Sequence, residues 1–344
     1  LRDRGFRTVG IVSHFYLSAE EGFSRGFESY IEITSRRRMH KIVTSKRVSD
    51  EAIAWLKSYA SQGNSAPFFM FLHYFDPHFN FIHHPDFRQT KPYNGPVKSG
   101  MDIRELRRLA QSLSPEDLEY LVGLYHEEIA FTDHHIGRVL NALEEMGLSR
   151  QTLIIFVADH GEEFMEHGWI GHARTLYDEL IHVPLVFYLP GVFRPVEIDT
   201  PVSQVDIFPT VLAMSLRPLE AMHPSGESLL PYLFGRKEAG KERSIVSEVS
   251  FNSAAIPNAY KTALIRGNLK IIHDITAGTW ELYDLAEDPG EQRNLVKMDA
   301  EESAKLAEIV RLWEKQEKKI TCAPPSTENL APQEIEQLRS LGYM

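Results

Sequence analysis

Three short stretches of the chain gather residue types that could do chemistry. In the first, the apolar run Leu153–Ala158 leads straight into Asp159-His160-Gly161-Glu162-Glu163. Open α/β sheets bind ligands beyond the carboxyl ends of their strands. A carboxylate beside an imidazole at such a place suits a divalent cation. The plainer alternative is that Asp159 caps the next helix while His160 packs. In the second stretch, Phe68-Phe-Met-Phe-Leu is followed by His73-Tyr74-Phe75-Asp76-Pro77-His78. Pro77 stiffens the turn. His78 could then bind an oxyanion or protonate a leaving group, or be structural. The third stretch is Glu166-His167-Gly168-Trp169-Ile170-Gly171-His172-Ala173-Arg174. Glycines and histidines ahead of a helix make a plausible anion cradle, because backbone N–H groups at a helix start attract oxyanions. Arg174 either adds fixed charge there or is a solvated first-turn residue.

Elements of ordinary α/β type are needed to position these residues. Four continuous apolar runs of strand length occur, at residues 8–13, 68–73, 153–158 and 183–189. Continuity rather than alternation predicts strands buried on both faces of a largely parallel sheet. Helical spacing is present over residues 50–59 and over Pro115–Met146, where Ser114-Pro115-Glu116-Asp117 is a helix-entry signature and Gly147 a stop. The stretch 79–111, rich in proline and glycine, reads as a long loop of the kind that forms lids. Beyond residue 235 the pattern changes to four short strand runs, with Arg266-Gly267-Asn268 as a hairpin turn, and then a polar amphipathic helix over 301–317. The expected division is 1–235, an α/β domain, and 236–344, a smaller α+β subdomain.

Composition narrows the function classes. The 344 residues carry 37 basic and 48 acidic side chains, a formal net charge of −11. That disfavours non-specific binding to nucleic acid or anionic membranes. The single cysteine, Cys322, excludes an intrachain disulfide and a cysteine-rich zinc site. No apolar run approaches the ~18 residues of a membrane span. Eleven of the 15 histidines lie between His73 and His182. His83, His84, His134 and His135 read as surface or partly packed, and Arg36-Arg37-Arg38 as a solvated face or linker.

Taken together, the motifs resemble the sulfatase family of the alkaline phosphatase superfamily. Asp159-His-Gly-Glu-Glu-Phe, Glu166-His-Gly, Gly171-His and Leu176-Tyr-Asp-Glu-Leu-Ile-His-Val-Pro-Leu are similar to its signature. Gly5-Phe-Arg-Thr, His73-Tyr-Phe-Asp-Pro-His78, Glu128-Ile-Ala-Phe-Thr-Asp133 and Val202-Ser-Gln-Val-Asp-Ile-Phe-Pro-Thr210 follow in family order. So do Glu281-Leu-Tyr-Asp-Leu, Asp288-Pro-Gly-Glu291 and the closing Leu338-Arg-Ser-Leu-Gly-Tyr343. The resemblance implies an alkaline-phosphatase-like fold: a mixed, mainly parallel sheet between helices, with a small C-terminal antiparallel sheet and a helix. It implies hydrolysis of sulfate esters, on a small molecule or a glycan, by a formylglycine nucleophile and one divalent cation. The cation is usually calcium, and a histidine ligand leaves manganese or zinc open. By the same match Asp159 and His160 would hold the metal. His78 would touch the sulfate or the leaving group. His172 stands where many members carry lysine, and His14 near a family histidine that, with a lysine, contacts sulfate.

The chain departs from the family pattern in three places. The formylglycine motif Cys/Ser-x-Pro/Ala-x-Arg and the paired acidic residues of the first strand do not occur, and are expected upstream of Leu1. The Gly-Lys-Trp-His of many members is replaced by Val12-Ser13-His14-Phe15. His160 and His172 replace the common asparagine and lysine. These exchanges also occur among relatives acting on phosphate diesters or phosphonate monoesters, so that activity is the alternative. A truncated, non-catalytic homologue that only binds an anion is the reading from another class. Relatives are often exported, which implies a periplasmic or extracellular location.

Overall fold

The computed structural model of the chain describes residues 1–34, 43–63, 66–214, 225–235, 243–253 and 256–317. Arg36-Arg37-Arg38, Cys322 and the closing 338–343 motif lie outside the described residues. Two compact units are present: Leu1–Thr152 with Gly168–Ile170, and Leu153–His167 with Gly171–Met344.

In the first unit, strand β1 (Arg7–Val12) lies between β2 (Ser29–Glu32) and β3 (Phe68–Leu72), and both pairings are parallel. β1 is buried from Thr8 onward, as its unbroken apolar run requires. Helix α1 (Ser45–Ser61) precedes β3 and buries Val48, Ala52, Leu56 and Tyr59, a stripe at spacings of three and four. Its N-terminus is held from outside. Asp76 accepts from Thr44 N at 2.7 Å, Thr44 Oγ1 at 2.6 Å and Ser45 N at 2.5 Å. A carboxylate there satisfies orphan donors and meets the positive end of the helix dipole. Helix α3 (Pro115–Glu145) starts at a capping box in which Ser114 and Asp117 bond each other's backbone. It stops before Gly147, at φ 69°. α1 and α3 are joined by Ser45 Oγ to Thr132 Oγ1 at 3.0 Å, and by Ser49 Oγ donating to the His135 carbonyl at 2.7 Å.

The stretch 79–111 is better tied down than a lid loop. It contains helix α2 (Ile103–Leu109) and is bound to α3 by two neighbouring carboxylates. Glu127, fully buried, accepts from Thr90 Oγ1, from the Gln89, Thr90 and His84 amides, and from His83 Nδ1 at 2.5 to 3.0 Å. Burial opposes its charge, yet these donors hold its carboxyl below the usual range. Glu128 accepts from Ile82 N at 2.7 Å and faces His84 Nε2 at 2.9 Å. His84 and His135 are therefore core residues rather than surface ones.

Burial pushes the Glu128 carboxyl up to about 7. Its folded value thus exceeds the unfolded value of roughly 4.3. The stabilising proton is fully bound below that lower value and is lost as pH rises through about 7. Glu128→Gln keeps the shape without the charge. It should gain stability relative to wild type between about pH 4.3 and 7, levelling at about 4 kcal/mol. Thermal unfolding across pH checks this, and a flat difference would contradict it.

In the second unit, β4 (Ile154–Val157) is followed by two-residue strands β5 (Glu163–Phe164) and β6 (Ile170–Gly171), short helix α4 (Asp178–Ile181) and β7 (Leu185–Tyr188). β4 pairs antiparallel with β7, so these two runs do not share the expected parallel direction. Nor are they buried on both faces: Phe156, Val186 and Tyr188 are 41%, 50% and 53% exposed. Helices α5 (Ile207–Met214) and α6 (Leu230–Leu233) lead to an antiparallel sheet ordered β11-β10-β9-β8. Its strands are β8 (Ser244–Ser253), β9 (Ile256–Arg266), β10 (Leu269–Asp274) and β11 (Thr279–Asp284). Gly267, at φ 60°, makes the expected two-residue hairpin between β9 and β10.

Alternation sorts the sheet's faces. Leu264, Ile271 and Leu282 pack against Leu306, Ala307 and Val310 of α7 (Ala300–Glu317). Ala263, Ile272 and Tyr283 pack against Leu176 on the other side. The small C-terminal antiparallel sheet with a helix is therefore present as expected. No described helix is long and apolar enough to cross a membrane.

Candidate active site

Each unit carries part of the candidate set. In the second unit, β4 ends at Val157 and the chain turns at Asp159. Gln204 pins that turn, its amide donating to the carbonyls of Ala158 at 2.8 Å and Asp159 at 2.9 Å. The Asp159 side chain is 83% exposed, and its Oδ2 lies 3.9 Å from His160 Nε2. His160 Nδ1 is 2.8 Å from the Gly161 carbonyl. A carbonyl only accepts, so Nδ1 carries the proton and the lone pair sits on Nε2. An oxygen and a nitrogen 3.9 Å apart can both reach one cation at about 2.0–2.5 Å. A backbone acceptor on the other ring nitrogen is the usual way a ligating histidine is oriented. The donor pair thus fits a divalent ion.

His172 comes next to this pair, its ring centroid 3.9 Å from that of His160. It is buried, and its Nδ1 is 2.8 Å from Glu162 Oε1. The carboxylate holds the ring by Nδ1, leaving Nε2 as the working atom. Glu162 stood in the Asp-His-Gly-Glu-Glu run but had no role from sequence. A buried carboxylate two residues past a metal-type dipeptide was the available signal. Ala173, following His172, takes φ 69°, which is unfavourable for a side-chain-bearing residue. Arg174 is half-buried beyond it.

Gly161 is required here by crowding. Its φ is not positive, so the requirement comes from the space around it rather than from backbone conformation. A Cβ at this position would lie 2.0 Å from the Glu179 carbonyl oxygen. Gly161→Ala must therefore push backbone away from backbone and break the 2.9 Å bond from Gly161 N to the Leu180 carbonyl. A loss of about 1–3 kcal/mol is expected, measured as a fall in Tm; an unchanged Tm would show that α4 is free to move.

In the first unit, His14 and His78 both pack on Phe75, each ring centroid 4.5 Å from it. His14 caps a short 3₁₀ turn, its Nδ1 accepting from Tyr16 N at 3.2 Å. Nε2 must then carry the proton, which suits donation to an anion's oxygen. His78 has the opposite arrangement. Its Nδ1 is 2.7 Å from the Phe79 carbonyl, so Nδ1 donates and Nε2 is the atom available for proton transfer. A cavity of about 20 Å³, the room of one water, adjoins His78 and is lined also by Asp76, Asn80 and Glu128.

Comparison with known proteins identifies the family of the chain. The sulfatase family model matches residues 1–215, and the model described as N-sulphoglucosamine sulphohydrolase, C-terminal, matches residues 165–319. Arylsulfatase K of Gallus gallus is 26% identical over 308 residues, covering 80% of this chain and 56% of that protein. The Delta 4,5-hexuronate-2-O-sulfatase of Bacteroides thetaiotaomicron is 28% identical over 208 residues, covering 59% of this chain and 42% of that protein. The chain thus spans about half the length of such relatives. A protein solved with its substrate D-glucosamine-2-N,6-O-disulfate superposes with TM-score 0.69 at 20% identity, over 92% of this chain and 80% of that one. The phosphonate monoester hydrolase of Agrobacterium radiobacter gives 0.68 at 24% identity, over 92% and 79%. These neighbours share the alkaline-phosphatase-like fold, and the family uses a divalent metal. With the family model matching residues 1–215 of its 344, the chain belongs to the sulfatase family.

Proposed function

We propose that the full-length protein hydrolyses a sulfate ester on a sugar. The observation that carries this reading is the Asp159–His160 donor pair with His172 packed beside it, in a chain of this family. The named activities of the relatives, an arylsulfatase and a hexuronate sulfatase, support sulfate over phosphonate. The nucleophile is a formylglycine, as in the family, and the export of such enzymes points to a periplasmic or extracellular setting.

Asp159 and His160 would hold the divalent cation, calcium by family habit. When bound, the ion supplies Lewis-acid polarisation of sulfate oxygens. The chain's own residues do the rest. His14 donates its Nε2–H to a sulfate oxygen, and His172, oriented by Glu162, places its Nε2 toward the anion. Arg174 adds positive charge. Such fixed donors stabilise a spread-out anionic transition state. His78 Nε2 delivers a proton to the departing alcohol oxygen.

Paired aryl sulfate and aryl phosphonate substrates test the reading on the full gene product. Faster sulfate turnover is expected. Equal or better phosphonate turnover assigns the phosphonate or phosphodiester activity instead, and binding without turnover of either assigns a non-catalytic role.

A further inference from the structure

We propose that His167 is a positioning residue, carried as an imidazolium, that clips the turn at Glu291 to the segment bearing Glu162, Glu163 and His172. Only its kinetic consequence rests on the sulfatase reading above.

The hydrogen-bond partners fix the charge. His167 Nε2 lies 3.2 Å from the Glu291 carbonyl oxygen, and Nδ1 lies 2.7 Å from Glu179 Oε1. A carbonyl cannot donate, so Nε2 holds a proton. The carboxylate of Glu179 accepts from Nδ1, so that nitrogen holds one as well. A second carboxylate adds to the negative surroundings. Glu163 is fully buried, accepts from His167 N at 3.2 Å and is steadied by Thr175 Oγ1 at 3.0 Å. The face of the ring stacks on Tyr177, centroids 3.5 Å apart and planes 13° from parallel, and an aromatic face attracts a cation.

Glu291 is held from both ends. It is a non-glycine residue at φ 51°. Its carboxylate takes Asp178 N at 2.6 Å and the buried Lys270 ammonium at 2.8 Å, and Lys270 also reaches Asp178 Oδ1 at 2.9 Å. Glu163 and Glu179 face the imidazole, while Asp178 and the Glu291 carboxylate are paired with Lys270. Gln292 brings its amide nitrogen, also a donor, to 3.4 Å from Nε2, but gives its shorter bond, at 2.8 Å, to the Gly290 carbonyl. Lys270 lies on β10, so the clip runs from the C-terminal sheet to the loop before α4. Glu163 is the immediate neighbour of Glu162, which orients His172. Loss of the His167 proton sets a lone pair against an oxygen and loosens that chain of contacts.

Burial works against the His167 charge, but Glu179, the Glu291 carbonyl and Glu163 outweigh it and raise its affinity for a proton. A raised folded value gives a definite sign. The clip is at full strength below the ordinary histidine value of roughly 6.5 and fails as pH rises through the higher folded value.

Selective ¹⁵N-histidine labelling of this chain reads the proton directly, with His167→Gln identifying the signal. Both ring nitrogens should be protonated at neutral pH, with a midpoint above the ordinary value. A midpoint at or below it overturns the proposal. Glu179→Gln should lower that midpoint, a test that stands even if His167→Gln folds poorly; an unmoved midpoint counts against the proposal. The Tm difference between wild type and His167→Gln should shrink as pH rises from about 6.5, whereas a constant difference overturns the charged role. In the Asp159→Ala background, an equivalent of Mn²⁺ that binds and is lost with His167→Gln would make Glu163, His167 and Glu179 a metal site, and overturn the clip. In the full-length enzyme, His167→Gln should lower kcat roughly 10- to 100-fold and remove an alkaline limb from the kcat profile. An unaltered profile overturns the positioning role whatever substrate the enzyme takes.

Discussion

Asp159→Ala should abolish divalent-cation binding while leaving the fold intact. The carboxylate is one of two donors 3.9 Å apart, and its partner His160 is already committed through Nδ1 to the Gly161 carbonyl. Removal of partners outside a metal's own ligands typically costs about 10- to 100-fold in affinity, so loss of a ligand should exceed 100-fold. Stability should change by no more than about 0.5 kcal/mol, because the side chain is 83% exposed and packs little. Calorimetric titration with Ca²⁺ and Mn²⁺ beside a thermal melt separates the two effects. Undiminished binding would take Asp159 out of the metal site. A large loss of Tm would show that the residue serves the turn rather than an ion.

His78→Ala should slow sulfate hydrolysis by about 10²–10⁴-fold for poor leaving groups and far less for good ones. The ring's Nδ1–H is given to the Phe79 carbonyl, which leaves Nε2 as the proton-transfer atom. Poor leaving groups depart only with a proton, so the deficit should grow with the basicity of the departing oxygen. A series of aryl sulfates of graded leaving-group pKa, tested on the full-length enzyme, measures the slope. A uniform deficit across the series would assign His78 to binding the anion rather than protonating the alcohol.

Local signals with a fixed geometry were readable in the sequence. Ser114-Pro115-Glu116-Asp117 can form only one kind of helix start, and Gly147 and Gly267 stand where backbone dihedrals exclude most side chains. Direction of strand pairing was not readable. An unbroken apolar run reports burial, yet Ile154–Val157 and Leu185–Tyr188 pair antiparallel and expose Phe156 and Tyr188. The candidate residues at strand ends were legible because strand and polar terminus adjoin in sequence. Their partners were not, because Glu162 to His172 and Glu179 to His167 are long-range pairs that only the folded loop brings together. Glu127 and Glu128 offered a warning that passed unread. They follow Leu121 and Leu124 at helical spacing, on the face that α3 buries. Carboxylates on such a face must be met by donors, and the 82–90 segment supplies them, the His83 and His84 rings included.

Asp76 joins two parts of the first unit that the chain separates by some thirty residues. Its carboxylate closes the first turn of α1, and two residues later the backbone delivers His78. The loop that carries His78 is thereby anchored to the helix start, and neither can open without exposing the other's unpaired groups. Slow hydrogen exchange at the Thr44 and Ser45 amides is therefore a substrate-free gauge of how firmly His78 is seated. Any variant that loosens the histidine loop should be visible as faster exchange at the far end of that carboxylate.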